Sequence, residues 1–173
     1  MNDFLEILKY TIPAIVVFVT SFYLVRAFLK NEEKKRKFEL SMNYKESILP
    51  LRLQAYERLV LFLERISPDS LVMRINKPDV TVFQMQNELL GAIRSEFEHN
   101  LAQQTYISSS AWEMVKAAKN GMIKLVNESA TDYKADAKGI NLSKSILENA
   151  MNLQNTPVYS ALEFLKKEAR ELF

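Results

Sequence analysis

Along most of this chain apolar residues recur every three or four positions, the period of an α-helix with one buried face. One stretch, at 4–30, departs from that pattern. Between Lys9 and Arg26 it carries no charge, reading YTIPAIVVFVTSFYLV, and apolar residues continue at Phe4, Leu5, Ile7 and Leu8 and again at Ala27, Phe28 and Leu29. A bilayer core takes about 20 apolar helical residues. The uncharged run alone is slightly short of that. Lys9 and Arg26 lengthen it by sending their charges toward the headgroups while their stems stay in the apolar layer. The pattern predicts one membrane-spanning helix. Pro13, in its outer half, is read as the kind of proline that membrane helices tolerate near an end.

From residue 31 the pattern is helical again. Glu32 precedes Arg36 by four residues and Glu33 precedes Lys37 by four, the supportive order on a helix face. Phe38, Met42 and Leu49 line one side of this extension, with Tyr44 and Ile48 nearby. Pro50 suits the first position of a new helix, where its missing N–H costs nothing. Over 51–66, Leu51, Ala55, Tyr56, Leu59, Phe62, Leu63 and Ile66 share one broad face, and Gln54, Glu57, Arg58, Leu61, Glu64 and Arg65 the other.

Ser67-Pro68-Asp69 ends that helix and starts a short one to about residue 75, before a turn at 76–79. A long helix is expected over about 80–106, with the stripe Phe83, Leu90, Ile93, Phe97 and Leu101. The segment 79–83 (DVTVF) is the one place a strand could hide. Ser108-Ser109-Ser110 breaks the helix, and Ser110 with Glu113 forms a capping-box pattern for a helix from Ala111 to about Tyr133. That helix carries Trp112, Val115, Ala118, Met122, Leu125 and Val126. Asn141 or Ser143 caps another, to about Leu153. Thr156-Pro157 marks a specific start for the last, with Val158, Ala161, Leu162, Leu165, Ala169 and Leu172.

The expected fold is therefore all-α. A single N-terminal transmembrane helix (1–30) continues into a basic helical stalk (31–49), followed by a cytoplasmic helical bundle (50–173).

A cleaved signal peptide is the main competing reading of the N-terminus, with Val19-Thr20-Ser21 as a loose cleavage site. It fits poorly. Asp3 and Glu6 outweigh Lys9 ahead of the apolar run, the run continues past Ser21, and the densest basic cluster follows it. A buried core helix would carry a more polar side.

Charge sets the orientation. Arg26, Lys30, Lys34, Lys35, Arg36 and Lys37 follow the span and only Lys9 precedes it, which places the C-terminal side in the cytoplasm. The same six are the candidate lipid-headgroup contacts, each contributing roughly 1 kcal/mol of attraction to an anionic surface. The absence of cysteine agrees with a compartment that need not be oxidising. A net charge of +2 is too balanced for a nucleic-acid binder.

The sharpest candidate chemistry is Glu96-Phe-Glu-His99, since glutamate and histidine three apart recur as ligands in carboxylate-bridged di-iron bundles. At 100° per residue, however, His99 falls about 180° and Glu96 about 120° from the expected stripe. Glu57, the obvious third ligand, lies on the polar face of its own helix, and there is no second histidine. Ser108–Ser110 reads as helix punctuation, and three glycines cannot build a phosphate-cradling loop. Trp112, beside Met114, reads as a core anchor rather than a ligand platform. Gln103-Gln104-Thr105-Tyr106 reads equally as surface or as a partner-facing segment. No cofactor and no metal are expected.

The blocks 51–66 (LRLQAYERLVLFLERI) and 96–106 (EFEHNLAQQTY), with Trp112 shortly after, resemble an uncharacterised bacterial family of short proteins. That family combines an N-terminal membrane helix, a basic flank and a helical domain. The resemblance implies the architecture above, in a bacterial inner (cytoplasmic) membrane, and no site residues. The expected function is a structural or interaction protein, an accessory or scaffold subunit of an inner-membrane assembly. Its partners would be membrane lipids and one or more proteins in the membrane or cytoplasm, with self-association left open. The alternative is a membrane-tethered enzyme with a metal or carboxylate centre near Glu96 and His99.

Overall fold

The first helix, α1, runs from Asn2 to Ile66 in the computed structural model. The structure describes residues 2–153 and 156–172; among these, the side chains of 2–10, 12–14, 40, 41 and 43–46 lie outside the description. The remaining elements are α2 (Pro68–Ile75), α3 (Val82–His99), a 3₁₀ turn (Leu101–Thr105), α4 (Ser109–Ala130), α5 (Gly139–Asn152) and α6 (Pro157–Arg170). The only strand-like feature among the described residues is a single antiparallel bridge between Thr81 and Lys138, at the place the 79–83 segment suggested. The all-α expectation holds.

Contacts divide the chain into two units, Met1–Ile48 and Leu49–Phe173. In the first, Glu32 and Arg36 approach to 4.0 Å and Glu33 and Lys37 to 3.1 Å, as their spacing predicted. Side chains from Ile15 to Leu29 are exposed, as are Phe38 and Met42. Among the described residues no helix is long and apolar enough to cross a membrane. The membrane span read at 1–30 is thus not met there, and part of that stretch, residue 1 and the side chains of 2–10 and 12–14, lies outside the description.

Pro50 does not open a second helix; it lies inside α1. Its fixed φ of about −65° is already helical, so the chain loses one backbone hydrogen bond there without having to stop.

The second unit is built around one apolar core. Tyr56, Leu59, Phe62, Leu63 and Ile66 supply the α1 face, and Leu71 with Val72 supplies that of α2. Val115, Ala118, Met122 and Val126 of α4 meet Val158, Ala161, Leu162 and Leu165 of α6. These helices approach closely at Gly121, where an added Cβ would lie 2.8 Å from Pro157 Cγ. Leu51, expected on the buried face, is exposed.

Three helix starts differ from expectation, each for a local reason. Thr81 caps α3: its hydroxyl accepts from the Gln84 N–H while the Gln84 side chain accepts from the Thr81 N–H. The Val82 and Phe83 N–H groups donate to the carbonyls of Ala137 and Ala135. Together these contacts turn Val82, Met85, Leu89 and Ile93 into the core and leave Phe83 exposed. Ser108 rather than Ser110 caps α4, accepting from the Ala111 N–H at 3.0 Å. For α5, the Gly139 N–H donates to the Val80 carbonyl, so the helix begins there without a cap from Asn141 or Ser143.

The α3 helix also ends early. The Asn100 side chain donates to the Glu96 carbonyl at 2.8 Å, taking the acceptor that another helical turn would use. The chain then tightens into the 3₁₀ turn.

Candidate functional site

The rotation of α3 moves Glu96 and His99. With Val82, Met85, Leu89 and Ile93 inward, Glu96 falls within roughly 30° of the centre of the buried face instead of about 120° away. Its side chain is 19% exposed. Arg65 Nη2 lies 2.9 Å and Arg74 Nη1 3.1 Å from the same carboxylate oxygen, Oε1. Arg74 also donates through Nη2 to the Arg65 carbonyl at 3.3 Å. One carboxylate thereby ties α1, α2 and α3 together. His99 sits on the flank of α3, roughly 90° from the buried centre rather than opposite it, and is exposed.

Glu96 and His99 border a pocket of about 310 Å³ with Arg58, Leu61, Phe62, Arg65 and Asn100. Among the described residues no three His, Cys, Asp or Glu side chains gather as a metal ligand set. What converges on Glu96 is guanidinium. Neither arginine was singled out from the sequence. The available signal was spacing: Arg58 and Arg65 lie seven apart, two turns of one face.

Beside this pocket Phe97 is half-buried. It stacks on Trp112 with ring centroids 5.3 Å apart and contacts Phe62 at 6.0 Å, while the Lys119 ammonium lies 4.5 Å from its ring centre. Trp112 therefore packs against the core, in the role expected of it.

A second polar cluster was not anticipated. The Tyr56 hydroxyl is buried with no hydrogen-bond partner of good geometry. Burial raises its pKa above the ordinary 10.0, and the neighbouring Glu168 carboxylate raises it further, against smaller opposing contributions from the Ser108 backbone and Arg52. Glu168 in turn accepts from the Ser108 hydroxyl at 3.0 Å, and Arg52 donates to the Tyr106 carbonyl at 3.1 Å.

The six basic residues proposed to meet headgroups are all exposed on α1. At about 100° per residue, Arg26, Lys30, Lys34 and Lys37 share one face, Lys35 lies opposite and Arg36 to one side. Arg26 lies over the Phe22 ring at 5.8 Å.

One family matches residues 2–172, nearly the whole chain: a family of unknown function, DUF7935. No curated protein and no solved structure matches it.

Proposed function

The chain belongs to this family of unknown function, and from that premise we propose that it is a single-pass, membrane-anchored interaction protein, an accessory or scaffold subunit of an inner-membrane assembly. Its anchor is residues 1–30, its bundle is cytoplasmic, and the basic face of α1 meets anionic headgroups. One observation carries the reading. Ile15, Val16, Val17 and Phe18 are consecutive, so at about 100° each they sample the whole circumference of α1, and all four are exposed. Val19, Phe22, Tyr23, Leu24 and Val25 are exposed as well. A helix that is apolar all round belongs in a large core or in lipid. Thr20 fits this setting, because its hydroxyl donates to the Val16 carbonyl at 2.6 Å and so needs no water.

The interaction role draws on the second unit. Leu61, Met73 and Met151 are exposed there, while the ion pairs of Glu96 with Arg65 and Arg74 and of Lys166 with Glu64 join helices to one another. The enzyme reading around Glu96 and His99 has less support, since the Glu96 carboxylate is already held by two arginines.

The test is a reporter enzyme, active only outside the cytoplasm, fused after Phe173. It is expected to be silent, with the chain resisting an alkaline carbonate wash and keeping its own N-terminus. Reporter activity, release by carbonate, or a mature N-terminus near Phe22 would overturn the reading.

A further inference from the structure

The pocket beside Glu96 has more positive charge around it than its one carboxylate balances. Arg65 and Arg74 both bind Glu96 Oε1, and Arg58 lines the same pocket without an ion pair or hydrogen bond among the described residues. Three guanidiniums against one carboxylate leave a surplus of two positive charges. His99 adds an imidazole at the rim, carried on a different helix from Arg58 and Arg65.

We propose that the Arg58–Arg65–His99 pocket binds the phosphate of a phosphomonoester. Three lines support this occupant. A phosphomonoester carries a charge of about −1.5 to −2 at pH 7, which matches the surplus, whereas a carboxylate supplies one. Its three terminal oxygens suit donors arriving from two helices, and guanidinium forks pair with such oxygens two at a time. The pocket volume of about 310 Å³ accommodates a phosphate with a short ester arm, and the exposed Leu61 offers that arm an apolar wall.

Glu96 has a defined part in the site. By holding Arg65 from one side it fixes where that guanidinium points, and Arg74, which also donates to the Arg65 carbonyl, braces the pair. Glu96 is thus a positioning residue and Arg58 a direct ligand. The site stands apart from the membrane reading, because every residue in it belongs to the unit Leu49–Phe173.

The ester arm has two sources with one chemistry, a soluble phosphate ester or the headgroup of phosphatidic acid. The chain supplies its own probe, since His99 is its single histidine. The experiment labels the histidine ring with ¹³C in the full chain, held in phosphocholine micelles, and follows the His99 Cε1–H signal by NMR. Titrants are inorganic phosphate, methyl phosphate, and micelles doped with phosphatidic acid, with acetate as the carboxylate control.

A saturable shift with methyl phosphate or with phosphatidic acid is expected, and which of the two gives it identifies the source. Arg58→Gln should weaken binding by about tenfold or more, the loss of one charge-assisted contact. Arg94→Gln, an exposed arginine outside the pocket, should change it less than about twofold. No saturable shift with any phosphate titrant, acetate binding as tightly as methyl phosphate, or equal effects of Arg58→Gln and Arg94→Gln would each overturn the proposal. Arg58 is exposed and has no ion pair or hydrogen bond among the described residues, so its substitution leaves the fold intact, and the melting curve of the variant checks that directly.

Discussion

Residues 15–29 and 55–66 belong to the same helix, draw on the same apolar residue types, and end in opposite surroundings. Phe18 and Phe28 are 71% and 68% exposed, whereas Phe62, Leu59 and Leu63 are fully buried. The difference lies in arrangement. In 55–66 the apolar positions fall on one side and Glu57, Arg58, Glu64 and Arg65 on the other, so one face can be buried in the core while the other stays in water. In 15–25 there is no polar side. Covering one face would leave the rest wet, so only surroundings that enclose the whole circumference suit it. Hydrophobicity by itself says that a segment avoids water; its period says how many faces must be covered.

The largest effect should come from removing that contrast. Replacing Val17 and Phe18 together by lysine introduces two charges at the middle of the run, each costing about 2.5–3.5 kcal/mol on a membrane-insertion scale. The protein is expected to shift from the membrane pellet to the soluble fraction. If it stays in the pellet, the run is covered by protein rather than lipid.

Next in size are truncations on the two parts of α1. Leu59→Ala and Phe62→Ala should each lower the stability of the bundle by about 3–5 kcal/mol, through lost burial and a residual cavity. Phe18→Ala should leave it unchanged. Chemical denaturation of the full chain in micelles, followed by Trp112 fluorescence, reads both. Equal effects would mean that the two parts share one core.

A smaller effect is expected at the clamp. Glu96→Gln removes the partner of Arg65 and Arg74, both partly solvated, and should cost about 1 kcal/mol, less at high salt. His99→Ala should stay within about 0.5 kcal/mol, the range for an exposed side chain. A larger loss at His99 than at Glu96 would reverse the assignment of the α3 faces.

Tyr56→Phe should also be mild near neutral pH. The hydroxyl has no good partner, so near pH 7 the change should be within about 1 kcal/mol. Its pKa is raised in the folded protein, so the folded state holds the proton more tightly than the unfolded one. That contribution is complete below the unfolded value near 10 and is lost as pH rises through the higher folded value. The wild type should therefore lose stability above pH 10 more steeply than Tyr56→Phe, as denaturation at stepped pH would show. Parallel curves would remove Tyr56 from the account.

The helical class, the buried faces of α1 after residue 55, of α4 and of α6, and the cap at Thr156-Pro157 were all legible along the chain. Those signals are local: a period, a cap and a proline act within one or two turns. The sequence also marked 10–25 as an uncharged, mostly apolar run. Tertiary structure alone decided the rest. Phe83, Leu90, Ile93, Phe97 and Leu101 repeat at near-helical spacing and suggested one face of α3; Ile93 is indeed buried, but hydrogen bonds from Val82 and Phe83 to Ala137 and Ala135 turn Val82, Met85 and Leu89 inward beside it and leave Phe83 outside. That rotation brought Glu96 to the arginines of α1 and α2. Arg58, Arg65 and Arg74 looked like ordinary solvated charge because their meeting depends on how α1, α2 and α3 pack, and no single-helix period carries that information. A side chain's distance from its own stripe is local, whereas the direction of the stripe is settled by the partner it packs against.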